Sequence, residues 1–157
     1  MNVSIYPGSF KPPHKAHFNI VKNIYAESDK VIIFISEKGR EGIEIEQSLN
    51  VWNHFKKYIG ENIDIIVSCK SPVYDTYKEI KSNPNNNYKV LYGKNDKRRF
   101  QDMNGYNNVT IIDTGNIESI NATDLRKLLR NNESIRKYIP ESIPIQEYKN
   151  ILYRNED

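Results

Sequence analysis

Two histidines three residues apart, His14 and His17, close the stretch Ser4 to His17, SIYPGSFKPPHKAH. Side chains at i and i+3 share one helical face, and these two sit at the helix end nearest a glycine turn. Val3, Ser4, Ile5 and Tyr6 suit a strand, and Pro7, Gly8 and Ser9 are turn chemistry. Pro12 and Pro13 pre-set the first turn of a helix, where a missing N–H costs nothing. Phe18, Val21 and Tyr25, with Ile20 and Ile24, then keep helical spacing. A helix start with free N–H groups, a glycine that permits close approach and paired histidines makes a phosphate site. A zinc pair is the competing reading of the histidines, but the sequence supplies no third ligand of matching spacing, and Cys69 is distant. His54, beside Trp52 and Phe55, reads as structural or exposed.

A second informative stretch is ESINATDLR, Glu118 to Arg126. Asn121 followed by Asp124 resembles a capping box before Leu125, Leu128 and Leu129. A helix N-terminus there offers N–H donors and the positive end of the dipole to an anion. The Thr123 hydroxyl can donate to a phosphate oxygen, and the Arg126 fork suits phosphate bidentately. A plain capped surface helix is the bland alternative. In YGKNDKRRF, Gly93 allows close approach by a ligand, and Asp96 can accept from a ribose hydroxyl or organise the loop. Lys94, Lys97, Arg98 and Arg99 read equally well as a solvated charged loop.

The elements that must position these residues alternate. Val31 to Ser36 (VIIFIS) is a continuous apolar run, as in a strand buried on both faces. A helix is expected from about Glu46 to Ile59, with Leu49, Trp52, Phe55 or Lys56, and Ile59 at core spacing. Ile63–Ser68, Tyr88–Tyr92 and Val109–Asp113 read as further strands. Helices are expected around Val73 to Ile80, from about Ala122 to Arg130, and between Pro144 and Tyr153. Alternation with short links predicts a parallel sheet covered on both faces. Such sheets bind ligands at the carboxyl ends of the strands, near the switch in strand order. GSFKPPHKAH, SEKGR, YGKNDKRRF and ESINATDLR all follow strands, which predicts one shared site.

At 157 residues the chain fits one domain able to bury a core. Its net charge of +3 is compatible with anionic small ligands and too mild to argue for nucleic acid. The single cysteine excludes an internal disulfide framework and leaves the cytoplasm as the default compartment. The start MNVSIYPGSF lacks the pattern of a signal peptide, and no run is long enough to span a membrane.

GSFKPPHKAH resembles the G-S-F-x-P-x-H-x-G-H signature of the nucleotidyltransferase superfamily, the adenylyl- and cytidylyltransferases, with Ala16 where glycine is usual. The second stretch resembles the family's I-S-x-T-x-x-R motif, with Asn121 where serine is usual and Ser119 as a partial substitute. Both motifs occur in order, and the resemblance covers most of the chain. It implies a Rossmann-like, doubly wound, five-stranded parallel sheet, an α/β/α sandwich like those of phosphopantetheine and nicotinamide mononucleotide adenylyltransferases. It also implies a single nucleotidyltransferase domain, 1–157, whose C-terminal helical segment spans about 133–157.

The reaction implied is attack of an acceptor's phosphate oxygen on the α-phosphorus of ATP or CTP, ATP being favoured, with pyrophosphate leaving and Mg2+ bridging the oxygens. By the same resemblance His14, His17, Lys11 and Arg126 are catalytic. Gly8, Ser9, Phe10 and His17 bind the nucleotide from the first motif. Gly93 and Asp96 bind it from the fourth strand, and Ser119, Asn121, Thr123 and Arg126 from the second motif. Lys94, Lys97, Arg98 and Arg99 would add cations beside the triphosphate, and Lys38 and Arg40 would receive the acceptor's phosphate. Lys11 replaces an acidic residue common in several adenylyltransferase branches, and either lies near the polyphosphate or points to water. Family members often assemble, so a homo-oligomer is possible. A nucleotide-binding regulatory protein that lost the chemistry is the alternative. RNA binding, suggested by the H-x-G-H site of class I aminoacyl-tRNA synthetases, lacks a KMSKS-like stretch and strong basicity.

Overall fold

The computed structural model describes residues 1–93, 96–115 and 121–154. Strands β1 (Asn2–Gly8), β2 (Lys30–Ser36), β3 (Ile63–Ser68), β4 (Asn87–Tyr92) and β5 (Val109–Asp113) form one sheet in the order β3-β2-β1-β4-β5. Every neighbouring pair is parallel. Between and after them run helices α1 (Lys15–Tyr25), α2 (Ile45–Ile59), α3 (Pro72–Ser82), α4 (Lys97–Phe100), α5 (Ala122–Arg130) and α6 (Ile145–Leu152). The chain winds outward from β1 through β2 to β3, then returns to β4 on the other side of β1. That reversal opens a crevice at the carboxyl ends of β1 and β4.

Successive strand residues face opposite sides, so the central strands must be apolar throughout. Val3, Ile5, Ile32, Phe34 and Val90 pack with Ile80 of α3 and with Phe100 and Met103. On the other face Tyr6, Ile33, Ile35 and Leu91 pack with Phe18 and Val21 of α1, Trp52 and Phe55 of α2, Leu125 of α5, and Tyr148 and Leu152 of α6. The expected five-stranded parallel α/β/α sandwich is therefore present. Among the described residues no helix is long and apolar enough to cross a membrane.

Several boundaries differ from the sequence expectation. Pro7 and Gly8 are not a turn. They continue β1 alongside Phe34 and Ile35, while pairing with β4 stops at Ile5. Proline is tolerated there because β1 has lost one neighbour by that point. Pro12 and Pro13 lie outside α1, which starts at Lys15 behind the N-cap His14. The stretch after Asp96, read as a loop, forms the short α4 and a 3-10 turn over Gln101–Gly105 because Phe100 and Met103 are core residues. Among its described residues the C-terminal segment is helical only at the 3-10 turn Arg136–Tyr138 and in α6. Its remaining chain buries Ile135, Ile139 and Ile143 completely.

Candidate active site

The loop from Ser9 to His14 is fixed from four sides. The Ser48 hydroxyl of α2 donates to the Phe10 carbonyl (2.5 Å), and the Tyr148 hydroxyl of α6 donates to the Pro13 carbonyl (2.7 Å). Lys11 donates through Nζ to the carbonyls of Ser9 and Ser36, both at 2.7 Å, joining the ends of β1 and β2. Arg126 of α5 donates through Nη1 to the Lys11 carbonyl (2.7 Å). Phe10 is buried at φ 51°, a left-handed conformation that costs a non-glycine residue on the order of 1 kcal/mol. Edge-to-face packing holds it there, with ring centroids 5.0 Å from Tyr6, 4.9 Å from His17 and 5.1 Å from Trp52.

Gly8 serves that ring. A Cβ at position 8 would meet the Phe10 ring at 2.8 Å, so the close approach required here is by Phe10. At Gly93 a Cβ would meet, among the described residues, only the Asp96 carboxylate, at an ordinary contact distance of 3.8 Å.

His14 and His17 form a reciprocal capping box at the start of α1. The Ala16 N–H donates to His14 Nδ1 (3.3 Å), and the His14 N–H donates to His17 Nδ1 (3.1 Å). Three-residue spacing suits this arrangement as well as it suits a shared ligand. The two rings stack with centroids 3.8 Å apart. Burial pushes His14 down to about 4, and burial with the neighbouring His14 ring holds His17 well below the ordinary imidazole value. Both are therefore neutral at pH 7. With each Nδ1 accepting an N–H, the ring proton must sit on Nε2, leaving each histidine one donor for a ligand.

At α5, the Asn121 carboxamide oxygen accepts from the Asp124 N–H (2.9 Å), as the expected cap requires. Its Nδ2 donates one proton to the Asp124 carboxylate (3.2 Å), which leaves the second amide proton for a ligand. Arg126 is buried and donates through Nη2 to Thr123 Oγ1 (3.2 Å), which leaves the threonine's own proton free. Its Nε donates to the Glu41 carboxylate (3.0 Å).

These residues line one cavity of about 250 Å³: Gly8, Ser9, Phe10, Lys11, His14, His17, Arg40, Gly93, Asp96, Asn121, Thr123 and Arg126. A second cavity of about 480 Å³ adjoins it, sharing Pro7, Gly8, Ser9, Arg40 and Asp96, and extends to Lys38, Lys70, Ser71, Val73, Arg99 and Phe100. Among the described residues, Lys11, Arg40 and Arg126 supply cations to the first, against one lining carboxylate, Asp96. Lys11 does not point to water. It is 1% exposed, and burial, then Arg40, lowers it to about 8. Lys97 and Arg98 are exposed and line neither cavity, while Arg99 lines only the second. Ser119 and Lys94 lie outside the described residues. His54 is largely buried, 3.4 Å from Glu147 and away from both cavities.

The sequence profile described as cytidylyltransferase-like matches residues 5–151, nearly the whole chain. The chain belongs to the cytidylyltransferase-like family. The resemblance read from the two motifs is thus borne out. Phosphopantetheine adenylyltransferase of Clostridium perfringens is 25% identical over 154 residues, covering 91% of each chain. That of Mycoplasma capricolum is 36% identical over 70 residues, which span 43% of this chain and 49% of the relative. Among solved structures, a bifunctional NMN adenylyltransferase/ADP ribose pyrophosphatase from Francisella tularensis, complexed with AMP and manganese, superposes with TM-score 0.68 at 20% identity. The match covers 96% of this chain and 52% of that one, and shows the shared fold.

Within the family motif, Ala16 causes no local break. It is helical, its methyl group is buried, and its N–H still donates to Nδ1 of the N-cap His14. Among the described residues no three His, Cys, Asp or Glu side chains are grouped to hold a metal ion. The donor set of the first cavity, with Asp96 as its carboxylate, fits a hard cation held mainly by a triphosphate's own oxygens. Four structural contributors escaped the sequence reading: Ser48, Tyr148, Glu41 and Lys70. Ser48 alone carried a signal, as a polar residue on the apolar face of α2.

Proposed function

We propose that this chain is an adenylyltransferase that joins AMP from ATP to a small phosphorylated acceptor and releases pyrophosphate. The observation that carries this is the pair of adjoining cationic cavities meeting at Gly8, Ser9 and Arg40. One suits a triphosphate and the other an acceptor phosphate, with both substrates converging beside His14 and His17. The relatives' names favour ATP over CTP. Phosphopantetheine and nicotinamide mononucleotide, the acceptors in those names, are the first to test. The apolar wall of the second cavity, Pro72, Val73 and Phe100, suits an acceptor with an uncharged body behind its phosphate.

The acceptor's phosphate oxygen forms a new bond to the α-phosphorus as the bond to the bridging β-oxygen breaks. The leaving pyrophosphate takes that electron pair. The nucleophile is already ionised, so no general base is needed, and catalysis is positioning and charge stabilisation. His14 and His17 serve as neutral Nε2–H donors to the α-phosphate, the Ser9 and Phe10 N–H groups bind its oxygens, and Lys11 adds charge. Thr123, Asn121 and Arg126 hold the leaving pyrophosphate at the start of α5. Gly93 and Asp96 border the nucleoside, and Lys38 and Arg40 receive the acceptor. Mg2+, held by the nucleotide's phosphates with Asp96 as the protein ligand, would neutralise charge on the triphosphate. The full chain works as one nucleotidyltransferase unit, and the exposed Cys69 thiol suits a reducing compartment such as the cytoplasm. A pyrophosphate-release screen of ATP and CTP against phosphopantetheine and nicotinamide mononucleotide tests this. Release with ATP and one acceptor is expected, and silence across all pairs contradicts it.

A further inference from the structure

Arg126 and Arg130 lie one turn apart on α5, and a single oxygen of the Glu41 carboxylate accepts from both, Arg126 Nε and Arg130 Nη1 each at 3.0 Å. Two guanidinium groups at i and i+4 repel unless an anion lies between them. Arg126 is held by the Lys11 carbonyl and Thr123 hydroxyl as well, so among the described residues Glu41 is its only charged partner. Arg130 is half exposed, with Glu41 as its ion-pair partner.

Glu41 reaches this position from a tight two-residue turn. The N–H and carbonyl groups of Arg40 and Ile43 bond reciprocally, at 2.9 Å each, and Glu41 and Gly42 between them have φ of 47° and 87°. Two positive values are the pattern of a type I′ turn, whose first central position favours asparagine, aspartate or glycine. Glutamate is a poor choice for the turn itself. What it supplies is a carboxylate that spans the gap to α5.

We propose that Arg130 is a further phosphate-binding residue and that Glu41 stands, in the free protein, where a terminal phosphate of the nucleotide binds. The inference rests on the triphosphate reading above and extends it to two residues outside either motif. A polyphosphate carries more charge than one carboxylate and can bridge both guanidinium forks bidentately, so it displaces Glu41. Displacement also frees the turn that carries Arg40, which borders both cavities.

The test is calorimetric titration of ATP and of inorganic pyrophosphate into wild type, Glu41→Gln and Arg130→Gln, with thermal melts to confirm folding. Both side chains are about half exposed, so each variant should fold. Glu41→Gln should bind pyrophosphate more tightly, by roughly three- to tenfold, and Arg130→Gln more weakly by a similar factor. If wild type binds ATP but Glu41→Gln binds pyrophosphate no better, or Arg130→Gln binds it no worse, the inference is wrong and the nucleotide reading stands. A folded wild type that binds neither ligand overturns both.

Discussion

His14 and His17 show how one spacing serves two purposes. Three residues apart, they share a helix face, but each also spends its Nδ1 on a backbone N–H at the helix start. Histidine is not among the favoured N-cap residues, so the reciprocal cap was not legible in the sequence, whereas the shared face was. The buried rings are neutral, so kcat/KM should show no imidazole limb between pH 5 and 7. Lys11, lowered to about 8 in the free protein, loses its charge above that pH, and with it attraction for phosphate. We therefore expect an alkaline fall in kcat/KM near pH 8 that disappears in Lys11→Met. A limb that survives the substitution assigns it elsewhere. The histidines also set an acid limit on stability. Unfolded imidazoles take up protons below about 6.5 while the folded ones resist, so the unfolded state binds more protons and stability falls as pH drops from about 6.5 towards 4. Urea midpoints at pH 7 and pH 5 should differ less in His14→Gln than in wild type.

At the scale of elements, strand and helix positions were legible because period and turn residues mark them: β3, β5 and α5 fall where the sequence places them. The anchors of the Ser9–His14 loop were not, since they join residues 38 and 135 positions apart. Tyr148→Phe leaves the Pro13 carbonyl unpartnered in a buried site and should cost about 1–3 kcal/mol in chemical denaturation. An unchanged midpoint would mean that α6 does not brace the loop. Gly8 shows the difference between a motif and its physical cause. Its missing Cβ leaves room for Phe10, so Gly8→Ala should lower stability by about 1–3 kcal/mol, even without ligand. Gly93→Ala, whose Cβ would make only an ordinary 3.8 Å contact with Asp96 among the described residues, should melt as wild type does.

At the scale of the whole molecule, the sheet order carries function. Reversal at β1 brings the loops after β1, β2 and β4 to one end of the sheet, with the start of α5 beside them. Alternation predicted that convergence. It did not predict that the site would divide into two cavities, or that Glu41 would bridge the loop after β2 to α5 across 85 residues. We propose that a nucleotidyl group is transferred at this junction, beside the two neutral histidines. The most direct measurement is acceptor-dependent pyrophosphate release from ATP by wild type and His17→Ala, each shown to be folded. We predict release that requires the phosphorylated acceptor and falls by about 10²–10³ in the variant. Equal turnover by the two proteins would contradict the account.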